Sequence, residues 1–357
     1  MTRVAFYAPM KSPSNAVPSG DREMARNLIS AIKLNGAVVD LVSDLRIYDK
    51  TGDPQVQTQL RQAAQAEVER LIQDLPHDTQ LWVTYHNYYK APDLVGPAVC
   101  RALAIPYVQI ESTRAHSRLI GPWADFAQAA HKACDAADAI YYLTANDLIT
   151  LQREKTHHQT LAHLPPFLPY RNLPAASNLR GPMLSVGMMR HGDKLASYHI
   201  IAETLHHLTG SWKLDIAGDG PARAEVEQMM APFGDRVRFL GQLDRETLQA
   251  IYGQAGLLLW PGVNEAFGMV YLEAQAAGVP VIAQDRPGVR DVVLTPDAPQ
   301  PEEGSQALAA QVITLVKDPV KRKHLGETAR HGIAQSHLIG ATSKLFWATA
   351  TPLLKEI

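Results

Sequence analysis

The chain has 357 residues, of which 46% are hydrophobic and 20% charged, and its formal net charge is −2 at pH 7. This balance is typical of a folded globular protein, and it excludes fibrous, disordered and strongly basic nucleic-acid-binding classes. The length favours two domains over one. Cys100 and Cys134 form neither a disulfide framework nor a C-x-x-C pair, so we predict two buried thiols in a reducing cytoplasm.

The apolar run at the N terminus is interrupted by Pro9 and Lys11, and it is therefore shorter than a signal peptide requires. No window of about 18 apolar residues, the length of a membrane-spanning helix, occurs in the chain. We therefore expect a cytoplasmic protein, and contact with the inner face of a membrane stays open as an addition to this.

The first half of the chain alternates between short apolar runs and stretches with helical periodicity. A run over residues 4–8 precedes a loop rich in Pro, Ser and Gly. A helical stretch over 22–34 then ends at Asn35-Gly36, and a second apolar run follows over 38–42. Further strands are predicted over residues 81–84, 107–110 and 139–143. Such alternation predicts a parallel sheet covered by helices on both faces.

A proline-rich stretch without periodicity, LPPFLPYRNLPAASNLRGP, separates the two halves. Five strands are predicted after it, over residues 183–186, 213–217, 236–240, 257–260 and 279–283. We therefore predict two doubly wound α/β domains, over residues 1–168 and 183–339, with a linker over 169–182. Ligands of such sheets bind beyond the carboxyl ends of the strands, so a cleft between the two domains is expected.

The segment NEAFGMVYLEAQAAGVP, residues 264–280, lies between two of these strands and carries the strongest chemical signal. It predicts a turn and then a helix from about residue 267 to a left-handed cap at Gly278, with Gly268 in the first turn. Because glycine has no side chain, a ligand can approach the unpaired backbone N–H groups of that turn. These groups and the helix dipole favour an anion such as a diphosphate.

Two carboxylates flank this predicted anion site, Glu265 before the helix and Glu273 about two turns into it. A carboxylate does not bind phosphate, but it accepts hydrogen bonds from neutral hydroxyls such as those of a sugar or a ribose. The pair therefore suits a nucleotide sugar. Taken singly, Glu265 has the alternative of an ordinary helix-start acid, and Glu273 that of a solvated surface residue.

The two glutamates and their spacing resemble the E-x7-E signature of retaining glycosyltransferases of family 4. The segments VGMMRHGDK, LDIAGDGPARAEVE, VRFLGQL and RPGVRDVV surround this signature in the order found in that family. The resemblance covers nearly the whole second domain, and the first domain matches through its opening βαβ unit with Ser19-Gly20. It implies the GT-B fold, in which two Rossmann-like domains face a central cleft and a C-terminal helix, here residues 340–357, packs back on the first domain.

The resemblance also implies roles for single residues. Glu273 would bind the nucleotide ribose and Glu265 the donor sugar. Lys194 and Arg190 would hold the diphosphate, with Arg190 replacing an arginine that the family places at Met188. Two cations on a strand-to-helix loop suit the charge that develops on a departing nucleotide diphosphate. The implied donor-binding residues are Gly20, Gly187, Arg190, Lys194, Leu243, Glu265, Ala266, Phe267, Gly268, Met269, Val270 and Glu273.

The first domain is expected to supply the acceptor side. Gly20 follows the first strand and can let backbone approach the reacting centre, with a plain turn glycine as the alternative. Glu111 stands where relatives often carry a histidine, and His86 is a second candidate, with a structural histidine as the alternative. The predicted catalytic residues are Glu265, Lys194, Arg190, Glu111 and His86.

These residues predict a retaining, metal-independent hexosyltransferase that uses a nucleotide diphosphate sugar, first of all a UDP-sugar, and an acceptor hydroxyl. No metal or other cofactor is expected, because the chain has no Asp-x-Asp motif and no histidine spaced as a metal ligand with carboxylates or cysteines. The expected partners are the donor and a lipid or sugar acceptor, with no nucleic acid.

The acceptor is left open by the sequence. FYAPMKSP and GMMRHGDKLASY resemble a bacterial glycolipid-forming subgroup, which implies a membrane lipid such as diacylglycerol, while lipopolysaccharide and small molecules stay as alternatives. The loop over residues 114–123 is either a lipid-headgroup contact or solvated. A nucleotide-sugar epimerase and a non-catalytic sugar-nucleotide-binding protein share the fold. A nicotinamide dehydrogenase is disfavoured, because Arg223 occupies the third glycine position of its fingerprint.

Overall fold

A computed structural model describes residues 1–17 and 19–354. The chain folds as two compact units: an N-terminal unit, Met1–Pro165 together with the C-terminal segment from Ile339, and a C-terminal unit, Pro166–Leu338. The stretch 169–182, predicted as a linker, lies within the C-terminal unit. Backbone hydrogen bonds tie it there, for example from Ser177 N to Ala277 O at 2.7 Å.

The N-terminal unit is built around a six-stranded parallel sheet with the order β2-β1-β3-β4-β5-β6. Its strands are β1 (Arg3–Tyr7), β2 (Val38–Ser43), β3 (Thr79–Asn87), β4 (Tyr107–Ser112), β5 (Ala139–Tyr142) and β6 (Thr160–His163). Its first helices are α1 (Gly20–Lys33), α2 (Pro54–Asp74), α3 (Gly96–Leu103), α4 (Ala124–Ala136) and α5 (Ala145–Arg153). Strand β6 was not predicted, because TLAH is a short edge strand without a fully buried residue.

The order of this sheet reverses between β1 and β3, and ligands of doubly wound sheets bind beyond the carboxyl ends of the strands at such a point. The loop after β1 ends where the Ser19 side chain accepts a hydrogen bond from Arg22 N at 3.2 Å and starts α1. In the neighbouring pair, Asn87 of β3 is in register with Ser112 of β4. The preceding residues, His86 and Glu111, therefore lie side by side at the same edge.

The C-terminal unit contains a five-stranded parallel sheet with the order β11-β10-β7-β8-β9. Its strands are β7 (Met183–Val186), β8 (Leu214–Ala217), β9 (Val237–Gly241), β10 (Leu257–Leu259) and β11 (Val281–Ile282). Its helices are α6 (Asp193–His206), α7 (Arg223–Met230), α8 (Arg245–Tyr252), α9 (Met269–Ala276), α10 (Gly304–Lys317) and α11 (Pro319–Ser336). Strand order reverses between β7 and β10, so this unit too has a binding edge at the carboxyl ends of two neighbouring strands.

The last helix, α12 (Ile339–Ala350), belongs to the N-terminal unit. Trp347 Nε1 donates a hydrogen bond to Ile32 O of α1 at 3.1 Å, and Phe346 stacks on Tyr141 of β5 with ring centroids 5.2 Å apart. Both aromatic residues of α12 are buried by these contacts. None of the described helices combines the length and the apolar character that crossing a membrane requires. The predicted class of two doubly wound parallel α/β sheets is confirmed.

Candidate functional site

The binding edge of the C-terminal unit begins with a close contact between Gly187, after β7, and Trp260, after β10. A Cβ atom added to Gly187 would lie 2.5 Å from the Trp260 ring, so only glycine allows this contact. Tyr198 of α6 donates a hydrogen bond to Gly187 O at 2.8 Å, and its ring packs edge-on against Trp260. The two strand ends are therefore held by a rigid, buried aromatic pair.

Lys194 and Glu265 form an ion pair beside the Trp260 ring. The indole Nε1 of Trp260 donates to the same Glu265 oxygen, Oε1, at 2.8 Å, and Lys194 Nζ lies 5.3 Å from the centre of the indole ring. The Lys194 and Glu265 side chains are 20% and 11% exposed, so the pair is partly shielded from water yet reachable by a ligand. We call Lys194, Trp260 and Glu265 the lysine–glutamate cluster.

The backbone before α9 departs from the sequence prediction. Gly268 does not lie in the first turn of the helix: it precedes Met269 with φ 75°, a conformation that favours glycine. A Cβ atom added there would lie 2.6 Å from the Tyr271 ring. The predicted start of the helix, residue 267, was wrong by two residues. Gly268 was taken as part of the helix, whereas it is the residue with positive φ that precedes it. The first N–H groups of α9 have no partner within the helix, as at any helix start.

Glu273 lies in the second turn of α9 and faces α8. Tyr252 of α8 donates to Glu273 Oε2 at 3.1 Å. Burial raises the pKa of Glu273 to about 7, while Tyr252 and Arg245 act in the opposite direction. The carboxyl group therefore changes charge near neutral pH, and the alternative of a freely solvated surface glutamate is wrong.

Beside Glu273 lies a small pocket, open to solvent, with a cavity volume of about 20 Å³. Its lining is supplied by the stretch before β7, by α8 and by α9: Tyr170, Pro174, Arg245, Leu248, Gln249, Tyr252, Glu273 and Ala277. Arg245 covers the face of Tyr170, with its guanidinium carbon 5.0 Å from the ring centre. The pocket therefore joins an aromatic face, a cation and a titratable carboxyl group.

The other predicted donor-binding residues of this unit lie near these groups in the sequence but make fewer side-chain contacts. Arg190 is exposed and forms no ion pair with any residue that the structure describes, and Met188 at the family's usual arginine position is 57% exposed. Leu243 follows β9 and is half-buried. Ala266 and Phe267 lie in the turn before Gly268, and Met269 and Val270 form the first turn of α9.

In the N-terminal unit the structure brings His86 and Glu111 together with Asp21, which the sequence analysis missed. His86 Nδ1 lies 3.4 Å from Asp21 Oδ1 and 4.0 Å from Glu111 Oε2. Gly20 precedes Asp21 at the start of α1, and a Cβ atom there would meet nothing within 4 Å. We call Asp21, His86 and Glu111 the histidine–carboxylate cluster.

The backbone of this second cluster is strained. His86 has φ 67° and Glu111 has φ 58°. Residues with a Cβ atom rarely adopt such backbone angles, and those that do are often found at functional sites. Burial opposes the charged form of His86, but Glu111 and Asp21 outweigh it and raise the pKa of the imidazole. Burial also raises the pKa of Glu111, against the effect of His86. With both carboxylates ionised, the cluster is negative whether or not His86 is protonated, and protonation of His86 balances one of the two charges.

A family model matches the C-terminal unit, whereas a solved structure resembles nearly the whole chain. Residues 184–332 match the family model described as Glycosyl transferases group 1. We call residues 184–332 the group 1 glycosyl transferase domain, after the family model that they match. N-acetyl-alpha-D-glucosaminyl L-malate synthase of Bacillus anthracis is 34% identical over 125 residues, which are 34% of this chain and 32% of that protein.

A second relative, the GDP-mannose-dependent monoacylated alpha-(1-6)-phosphatidylinositol monomannoside mannosyltransferase of Corynebacterium glutamicum, is 33% identical over 127 residues, 33% of each chain. The chain thus spans about a third of the length of these curated relatives. Among solved structures, sucrose-phosphate synthase from Thermosynechococcus elongatus matches with a TM-score of 0.72 at 18% identity over 99% of both chains. This likeness confirms the predicted GT-B fold class.

The group 1 glycosyl transferase domain contains the lysine–glutamate cluster and Glu273, whereas the histidine–carboxylate cluster lies outside the matched residues. Two contributors escaped the sequence analysis within the domain, Trp260 and Tyr252. Trp260 is the last residue of the strand predicted over 257–260 and was a detectable candidate for a strand-end site. Tyr252 became visible only when the packing of α8 on α9 was known.

Proposed function

We propose that the protein transfers a hexosyl group from a nucleotide diphosphate sugar to an acceptor hydroxyl with retention at the anomeric carbon. The observation that carries this proposal is the lysine–glutamate cluster at the binding edge of the group 1 glycosyl transferase domain. A cation and a carboxylate side by side suit a ligand that presents phosphate oxygens and sugar hydroxyls next to each other.

Lys194 and the start of α9 supply the positive charge for the diphosphate. The Lys194 ammonium has three donors, so it can contact phosphate oxygens while it stays beside Glu265. The helix start adds unpaired N–H groups and the favourable end of the helix dipole. Arg190 is exposed on the loop that leads into α6, where a flexible cation can follow the leaving group. Charge that develops on the departing diphosphate is stabilised by these groups.

Glu265 and Glu273 fit the two ends of such a donor. Lys194 and Trp260 both contact Oε1 of Glu265, which fixes the carboxylate and leaves its second oxygen to accept a hydrogen bond from a sugar hydroxyl. Glu273 borders the pocket beside α8 and accepts from the ribose hydroxyls when it is ionised. The reaction needs no protein nucleophile in this scheme, since the diphosphate leaves from the face that the acceptor attacks. It needs no metal, because Lys194 and the start of α9 hold the charge of the diphosphate.

For the donor we propose a UDP-sugar, and for the acceptor a membrane lipid such as diacylglycerol, bound at the histidine–carboxylate cluster. A carboxylate pair around an imidazole suits an acceptor hydroxyl, because it can accept and orient the hydroxyl proton. Peripheral contact with a membrane surface is part of this proposal, and lipopolysaccharide or small-molecule acceptors are its alternatives.

The test is a product assay with UDP-glucose, UDP-galactose, UDP-N-acetylglucosamine and GDP-mannose, each paired with diacylglycerol vesicles, lipopolysaccharide and free sugars. Mass spectrometry of the products should show one hexosyl addition to diacylglycerol from a UDP-sugar, and NMR should show the donor's anomeric configuration in the product. Transfer from GDP-mannose alone would overturn the proposal of a uridine nucleotide donor. A product with inverted anomeric configuration would overturn the retaining mechanism. Epimerised donor in the absence of acceptor, or donor binding without turnover, would overturn the transferase assignment.

A further inference from the structure

Three side chains of the N-terminal unit form a cluster that plays no part in the proposed transfer. His116 lies in the loop after β4, His131 on α4, and Glu154 directly after α5. One ligating atom from each residue lies within 4.8 Å of the other two. His116 Nε2 contacts Glu154 Oε1, and His131 Nδ1 lies 3.5 Å from Glu154 Oε2. The spacing of the histidines in the sequence predicted no metal ligands, because these residues come from three separate segments.

We propose that His116, His131 and Glu154 bind a zinc ion that fixes the loop between β4 and α4. Two imidazoles and one carboxylate are a ligand set that Zn²⁺ prefers. Ligand atoms about 2.1 Å from a tetrahedral zinc ion lie roughly 3.4 Å apart, so the cluster needs to contract by about 1.4 Å at its widest edge. Rotation of the His116 side chain, which is 51% exposed, can supply that movement.

The two histidines differ in exposure. The His131 side chain is 12% exposed, whereas that of His116 is 51% exposed. Nδ1 of His131 faces Glu154, and metal binding there leaves the buried Nε2, which has no hydrogen-bond partner among the described residues, unchanged.

Arg114 and Arg153 are the two cations beside the cluster. The Arg114 side chain is 2% exposed, and its Nη1 lies 2.7 Å from its main partner, Asp135 Oδ1, and 3.8 Å from Glu154 Oε2. Arg153 is exposed and donates to Glu154 Oε1 at 2.9 Å, so its side chain has to turn into solvent when a metal takes that oxygen. Held by Asp135, Arg114 acts as an outer partner that orients Glu154, a role often found around metal-bound carboxylates.

A bound zinc ion would connect three segments of the N-terminal unit. It would connect the loop after β4 with α4 and with the end of α5. The ligand in that loop, His116, lies five residues after Glu111 of the histidine–carboxylate cluster. The same loop carries Arg118, which lies over the rings of Tyr89 and Trp123 at 5.1 and 5.6 Å. Zinc therefore acts as a structural clamp on a loop next to a candidate site, and it takes no part in the chemistry of the donor.

The experiment uses the full-length protein, stripped of metal by a chelator and titrated with Zn²⁺ against a chromophoric competitor. We expect one tight site in the wild type, at least tenfold weaker in H116A and E154Q. H191A is the matched control, since His191 Nδ1 lies 3.3 Å from Glu225 at an exposed pair with no second histidine. It should bind as the wild type does.

Two further readouts keep the proposal testable if a variant folds poorly. Co²⁺ in place of Zn²⁺ should give the visible absorption of a four-coordinate complex in the wild type and in H191A, but not in H116A. Zn²⁺ should also slow tryptic cleavage at the exposed Arg118, and only in proteins that keep His116. Equal affinity of the wild type and H116A, or octahedral Co²⁺ absorption in the wild type, would overturn the proposal.

Discussion

The two clusters at strand ends are built in opposite ways. In the C-terminal unit, Lys194 and Glu265 balance each other's charge, and Trp260 holds both in place. The positive φ angles around Glu265 fall on its neighbours Gly262, Asn264 and Gly268, and not on the charged residues themselves. In the N-terminal unit, two carboxylates surround one imidazole, and His86 and Glu111 themselves carry the positive φ angles.

We therefore call the lysine–glutamate cluster the prepared site and the histidine–carboxylate cluster the strained one. The lysine–glutamate cluster has its contacts satisfied before any ligand arrives, and it lies in the residues that match the glycosyl transferase family. The histidine–carboxylate cluster keeps two buried polar atoms, His86 Nδ1 and Glu111 Oε2, without a hydrogen bond among the described residues. Such a site gains most from a ligand that makes hydrogen bonds with these two atoms. The first cluster needs no ligand to complete its contacts.

The largest expected effect comes from removing the cation of the prepared site. K194A should lower kcat about 10²–10³-fold at saturating donor, because the ammonium stabilises charge that develops on the leaving diphosphate. Steady-state kinetics with the donor and acceptor found in the product assay measure this loss. K323A is the matched control, since Lys323 forms an exposed ion pair with Glu327 at 3.7 Å in the same unit. A K194A enzyme with the activity of K323A would remove Lys194 from the mechanism.

The second effect tests whether glycine is required at the entry to α9. G268A should lower the free energy of unfolding by about 2–4 kcal/mol, because it adds both backbone strain and a contact with the Tyr271 ring. G210A is the control: Gly210 has φ 79° but open space around it, so only the strain of about 1–2 kcal/mol applies. Urea unfolding of both variants gives the comparison. Equal losses would show that the packing against Tyr271 costs nothing.

A smaller effect comes from the titration of Glu273. Its folded pKa of about 7 exceeds the ordinary value of 4.5, so the folded protein binds the extra proton between these values and stability falls as pH rises through that window. Ribose hydroxyls bind the ionised form, so affinity for a UDP-sugar should rise about five- to tenfold as pH increases through 7. Calorimetry should also detect proton release on binding below pH 7.

Two variants bracket this prediction. E273Q should bind weakly at every pH and release no proton. Y252F removes a donor that lowers the pKa of Glu273, so the rise in affinity should move to higher pH. A wild-type affinity that is flat between pH 6 and 8 would contradict the role of Glu273 in binding the ribose.

The sequence predicted the C-terminal site better than the N-terminal one, for physical reasons. Glu265 and Glu273 are close in sequence and share one turn and helix, so local pattern alone placed both near a helix start. The contacts of Trp260 and Tyr252 depend on neighbouring strands and helices, which no local pattern shows. Asp21 meets His86 across the strand ends of β1 and β3. The three proposed zinc ligands come from separate segments, so no local pattern in the sequence indicated them either.

The smallest effect tests the strained cluster itself. E111G should raise the free energy of unfolding by about 1 kcal/mol, because glycine relieves the positive φ and a buried carboxyl oxygen without a hydrogen bond disappears. The same variant should raise the KM for the acceptor while donor affinity stays unchanged. A104G is the control, since Ala104 caps α3 with φ 51° away from the cluster and should gain stability without loss of activity. If E111G gains stability and keeps its acceptor KM, the strain at Glu111 serves no binding role. If it loses stability, the Glu111 side chain instead holds the fold, and the contrast between a prepared and a strained cluster fails at this residue.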